Sequence, residues 1–199
     1  QDTALKLTDT IQFAVERMDD FQVNILPVID DNKYIGYITQ NDLLNALDDQ
    51  FSIAIIQIRT EPIYLQTDQH PYDAMRIMTA YKLSTLPILD ENKKYQGMLS
   101  SFNLINATVS IQSQNENGAI IVLEVGTHDF SLSKIAHLVE TENYQIINCS
   151  TRTIPENSTI EITLKVNKSN IASLLSSFAR QNYNVIETFN ATQEEDDLH

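Results

Sequence analysis

The chain has 199 residues, 42% of them hydrophobic and 20% charged, an ordinary globular composition with enough length for two small cores. Its 27 Asp and Glu against 13 Lys and Arg leave a net charge of −14. That balance argues against a nucleic-acid partner and an anionic membrane surface, because both are bound through Lys and Arg.

No apolar run approaches the roughly 20 residues of a membrane helix. The first residues carry no secretory-signal pattern, and the single cysteine, Cys149, has no internal disulfide partner, so the expected location is the cytoplasm. The four histidines show no metal-ligand spacing.

In chain order, Ile11, Ala14, Val15 and Met18 fall at helical spacing and predict an amphipathic helix with one buried stripe. Leu26-Pro27-Val28-Ile29-Asp30 reads as a strand, Asp31-Asn32-Lys33 as a turn, and residues 34–38 as a second strand containing Gly36. Thr39-Gln40-Asn41-Asp42 then opens a helix. The whole series recurs. Pro71, Ala74, Met75 and Met78 repeat the stripe, and Leu86-Pro87-Ile88-Leu89-Asp90 repeats the strand 60 residues on. The second turn is one residue longer, so Gly97, Ser100 and Asn103 correspond to Gly36, Thr39 and Asp42. Each copy reads β-α-β-β-α, and neither buries its sheet well alone. Met18, Met75 and Met78 are expected in the core.

Thr39-x-x-Asp42 before an apolar run has two readings. It is a helix capping box, the threonine capping and the acid reciprocating. In the repeat context it is also a ligand motif, in which a carboxylate offers acceptors to adjacent donors and the helix start near Gln40 turns N–H groups toward an anion. Basic residues are sparse around both motifs. Lys33, Lys93 and Lys94 lie in turns, and Arg76 reads as a surface cation.

The series helix, Leu-Pro-Val-Ile-Asp, turn, Gly-Tyr-Ile-Thr-x-x-Asp resembles the CBS domain, named after cystathionine β-synthase, over about residues 1–107. The resemblance implies a pseudo-two-fold pair with two clefts, which in many relatives take adenosyl ligands. By that resemblance Gly36, Thr39 and Asp42 form one site, with Thr39 donating to a phosphate oxygen and Asp42 accepting from two ribose hydroxyls. Gly97, Ser100 and Asn103 form the other. There the amide in place of the acid weakens a ribose contact, so the Thr39/Asp42 cleft is expected to be the better site.

The second half is a different unit. Residues 111–117 read as a polar linker and residues 119–125 as a near-continuous apolar strand. Leu132, Ile135, Ala136 and Val139 predict a helix, and residues 144–153 a strand. Ile160, Ile162, Leu164 and Val166 alternate with polar residues as a half-buried strand does. Asn167 is placed to cap a second helix with stripe Ile171, Leu174, Leu175 and Phe178, and residues 184–189 close as a strand. The order βαββαβ resembles a ferredoxin-like ACT domain over about residues 118–190. The first strand-to-helix junction of an ACT domain that binds amino acids usually carries Pro-Gly. Here it reads Gly126-Thr127-His128-Asp129-Phe130-Ser131. His128 and Asp129 read as a polar turn or a ligand loop. A CBS pair followed by an ACT-like domain also resembles the bacterial acetoin-utilisation protein B family.

The expected fold is therefore α+β, with CBS domains at 1–60 and 61–110, a linker at 111–117, an ACT-like domain at 118–190 and an acidic tail at 191–199. No nucleophile, P-loop or zinc-protease motif is present. The expected function is a non-catalytic sensor needing no cofactor, with AMP, ADP, ATP or S-adenosylmethionine as regulatory ligand and AMP favoured by the scarcity of cations. The alternatives are a ligand-free dimerisation or scaffold protein and a small enzyme acting on a bound nucleotide. A homodimer is expected, and the sequence names no protein target.

Overall fold

The structure, a computed structural model, describes residues 3–46 and 49–189, so the acidic tail lies outside the described residues. The chain divides into two compact units, one ending at Thr108 and the other beginning at Val109.

The first unit holds the repeat. Copy one consists of β1 (Leu5–Lys6), α1 (Ile11–Phe21), β2 (Ile25–Asp30), β3 (Lys33–Thr39) and α2 (Gln40–Leu44), followed by a 3₁₀ turn at Ile53–Ile55. Copy two consists of β4 (Leu65–Gln66), α3 (Pro71–Tyr81), β5 (Thr85–Leu89), β6 (Tyr95–Ser100) and α4 (Ser101–Ile111). Each copy makes one three-stranded sheet, with a short parallel edge strand beside an antiparallel hairpin.

The helices form where the stripe and the caps agree. Thr10 Oγ1 accepts the Phe13 N–H at 3.1 Å and starts α1, whose Ile11, Ala14 and Met18 are buried. Pro71 opens α3, where its missing N–H is no loss. Both helices end on a left-handed residue, Gln22 at φ 52° and Lys82 at φ 53°, which closes the last turn. Met75 departs from expectation and is 40% exposed. The buried line of α3 is Ala74 and Met78, and Met75 sits about 100° around the helix from Ala74.

The two copies hold each other through matched backbone contacts. The Tyr34 N–H donates to Lys93 O at 3.1 Å, and the Tyr95 N–H donates to Asn32 O at 3.0 Å. Asn24 Oδ1 accepts from Ser84 Oγ at 3.0 Å, and Thr85 Oγ1 donates to Ile25 O. Leu26 and Leu86, the paired Leu-Pro leucines, are fully buried.

The second unit runs β7 (Ala119–Gly126), α5 (Leu132–Thr141), β8 (Ile146–Ile154), a 3₁₀ turn (Pro155–Asn157), β9 (Thr159–Val166), α6 (Ala172–Arg180) and β10 (Asn184–Phe189). Its sheet order is β10-β7-β9-β8, antiparallel throughout. One core joins Ile121, Leu123, Ile162 and Leu164 of the strands to Ile135, Val139, Leu174 and Phe178 of the helices. Two details differ from the sequence reading. Lys165, on the polar side of β9, is only 5% exposed. Its Nζ donates to Ser113 O at 2.9 Å and Gln114 O at 3.1 Å, which satisfies a charge that burial would otherwise penalise. Asn167 does not cap α6. Its Oδ1 accepts the Gln145 N–H at 2.9 Å instead, because α6 begins further on, after Ile171.

Candidate functional site

The hairpin β2-β3 delivers Gly36, Thr39 and Asp42 to one end of the first copy. Asp42 stands in the first turn of α2 and its carboxylate is crowded with donors. Oδ2 accepts the Thr39 N–H at 2.9 Å, the Thr39 hydroxyl at 2.6 Å and Arg59 Nε at 2.8 Å. Oδ1 accepts Arg59 Nη2 at 2.8 Å. The Asp42 N–H in turn donates to Thr39 Oγ1 at 3.3 Å, completing a capping box. Two of the helix-start N–H groups that sequence would point at an anion, those of Gln40 and Asp42, have acceptors already, since the Gln40 N–H donates to Asn24 O at 3.0 Å.

Arg59 is the residue the sequence reading missed, and it corrects the view that the first motif lacks cations. It arrives by main-chain pairing. The Tyr37 N–H donates to Arg59 O and the Arg59 N–H donates to Tyr37 O, each at 2.9 Å. This lays the segment joining the two copies along β3. Gly36 is what allows the approach: a Cβ there would stand 2.3 Å from Arg59 O and 2.5 Å from Ile58 Cγ2. The guanidinium holds the Asp42 carboxyl at about 2, below its usual 3.8, against the opposing effect of burial and with help from both Thr39 bonds. The same contact raises the Arg59 pKa. The pair is partly open to solvent, the Arg59 side chain 43% exposed and that of Asp42 18%.

Two cavities meet at Asp42. One, of about 340 Å³, has an apolar wall of Ala46, Phe51, Ile55 and Ile56. The other, of about 230 Å³, is lined by Gln57, Ile58, Arg59, Thr60 and Glu61. Tyr37, which is buried beside it, donates its hydroxyl to Glu61 Oε2 at 3.2 Å. Burial and the Glu61 carboxylate raise the Tyr37 pKa, so that hydroxyl stays protonated.

The second copy places its residues differently. Ser100 Oγ accepts the Asn103 N–H at 3.1 Å, but the exposed Asn103 side chain has no partner among the described residues. A Cβ on Gly97 would meet nothing within 4 Å. Among the described residues no segment pairs with the second hairpin beside Gly97 as Arg59 pairs with Tyr37 beside Gly36.

In the second unit, His128 and Asp129 line a cavity of about 880 Å³ together with Lys134, His137, Asn182 and Tyr183. Among the described residues no group of three or more His, Cys, Asp or Glu is placed to hold a metal. No helix among them is long and apolar enough to cross a membrane. Cys149 is half-buried, and burial raises its thiol pKa.

A repeated β-α-β-β-α unit, paired through matched contacts and leaving a polar-apolar cleft at one motif, defines a tandem-repeat module. The CBS domain family model matches residues 3–49 and 54–110, more than half of the chain, and the chain belongs to the CBS-domain family. It is 26% identical to inosine-5′-monophosphate dehydrogenase of Methanocaldococcus jannaschii over 137 residues, 67% of this chain and 27% of that protein. The chain spans between 27% and 38% of the length of the first curated relatives it matches. Similar solved structures include a CBS domain pair/ACT domain protein from Thermotoga maritima, at a TM-score of 0.49, 21% identity, and coverage of 56% of this chain and 92% of that one. Another is CBSX2 in complex with AMP, at 0.45, 24%, 54% and 87%.

Proposed function

We propose that the chain is a non-catalytic regulatory protein whose CBS pair binds an adenosyl ribonucleotide, AMP-like, at the Thr39/Asp42 cleft. The observation that carries this reading is the meeting of two unlike cavities at one carboxylate. The Phe51, Ile55 and Ile56 wall suits a purine face. Asp42 suits the ribose, and the Arg59 and Thr60 side suits a phosphate. Gly97, Ser100 and Asn103 form a weaker second site. No cofactor is required under this reading. The second unit, from its βαββαβ order and sheet order, is a ferredoxin-like ACT-like domain, and the protein works as a homodimer in the cytoplasm. Ligand control follows if the nucleotide binds one packing of the two copies more tightly than another.

A scaffold without ligand has its own supporting observation, the completed capping box, which accounts for Thr39 and Asp42 with no nucleotide at all. A thermal-shift screen with AMP, ADP, ATP, S-adenosylmethionine and a cyclic dinucleotide separates the two. At a hundredfold excess over Kd, binding adds ~2.7 kcal/mol, a rise in Tm of roughly 5–10 °C for a chain of this size. AMP should give that rise, whereas no shift with any of these compounds would favour the scaffold.

A further inference from the structure

We propose that Arg59 makes the first cleft selective for ligands that carry their own anion, because the ligand must replace Asp42 as the partner of the guanidinium. The inference rests on the adenosyl-site reading above and adds a residue and a rule of choice to it.

A carboxylate has about four lone-pair sites, and Asp42 already receives four donors. Three of them converge on Oδ2, and two of the four come from Arg59. A ribose diol brings two further donors. It reaches both oxygens only when the guanidinium leaves them.

Arg59 is free to leave. Its main chain is pinned by two bonds to Tyr37, while its side chain is 43% exposed. The fork can therefore swing without moving the backbone that carries it. Leaving has a consequence that depends on the ligand. Arg59 is the one cation among the described residues lining the two cavities. A neutral nucleoside takes Asp42 and returns nothing to the guanidinium. A sulfonium compound adds a second positive charge. A nucleoside phosphate takes Asp42 with its ribose and offers the fork oxygens of matching geometry in exchange. Glu61, on the same cavity, is already bonded to the Tyr37 hydroxyl.

The second copy has no such filter. Its glycine faces open space, and Asn103 carries no charge for an arginine to hold.

Calorimetric titration of AMP and adenosine into the full chain, wild type, Arg59→Met and Arg59→Lys, tests the inference. Arg59→Met keeps the aliphatic stem and both main-chain bonds, so the pairing with Tyr37 is retained. Wild type should bind AMP at least about tenfold more tightly than adenosine, the scale of one charge-assisted bond. Arg59→Met should bring the two ligands within about threefold of each other, adenosine gaining and AMP losing, and Arg59→Lys should keep an intermediate preference. An AMP preference unchanged in Arg59→Met, or absent in wild type, overturns the inference and leaves the site reading standing. Failure of both ligands to bind any of the three proteins overturns the site reading and the inference with it.

Discussion

The two copies of the repeat share their helices, hairpins and Leu-Pro strands, yet they treat the same motif differently. In the first, the inter-copy segment pairs with β3 at Arg59 and lies over the glycine, and that arginine grips the acid. In the second, the glycine faces open space and the acid is an amide. A repeat can thus keep its fold while only one copy keeps a charged, enclosed site. The difference resides in what crosses the hairpin and in the acid of the helix that follows it, not in the hairpin itself.

The sharpest way to break this comparison is at the glycines. Gly36 and Gly97 have almost the same φ, 152° and 151°, so alanine strains both backbones alike. Only Gly36 would also drive a Cβ into a main-chain oxygen. Gly36→Ala should lower stability by ~3 kcal/mol and Gly97→Ala by ~1 kcal/mol, read from urea unfolding midpoints. Equal losses would mean that the segment over Gly36 is not seated as described.

Acid titration addresses the ion pair. The Asp42 carboxyl is held at about 2 when folded, so on lowering the pH the unfolded chain takes up this proton first. The stabilisation is complete above about pH 4 and fades as the pH falls through about 2. Because the guanidinium is well exposed, it amounts to ~1 kcal/mol. Asp42→Asn should therefore be less stable than wild type at pH 6 and close to it near pH 2. Asn103→Ala should show no such pH-dependent gap.

A smaller effect tests what the copies share. Gln22 and Lys82 close α1 and α3 in the left-handed region, where glycine is more comfortable. Gln22→Gly and Lys82→Gly should each raise stability by ~0.5–1 kcal/mol. Unequal gains would show that the two helix ends are not equivalent.

Much of this fold was legible in the residues. The stripes of α1 and α3, the paired strands and the alternation of β9 are local signals, and they predict the elements observed. The Thr39/Asp42 box was legible too, because capping has a fixed spacing. Arg59 was not. It reaches Asp42 only because the chain doubles back onto β3, and a lone arginine between Ile58 and Thr60 announces no such turn. Gly36 did hold a trace of it, since a glycine inside a strand often marks close backbone approach. Lys165 was hidden for the same reason: its acceptors are main-chain carbonyls some 50 residues away that carry no side-chain signature. The cavity around His128 joins two segments well apart in sequence, so the loop alone could not show it.

The measurement that bears most directly on the central claim is AMP titration of Asp42→Ala against Asn103→Ala, with wild type as reference. Asp42→Ala should weaken binding about tenfold or more while Asn103→Ala should change it by less than about threefold. Equal losses in the two variants, or a larger loss in Asn103→Ala, would contradict the claim.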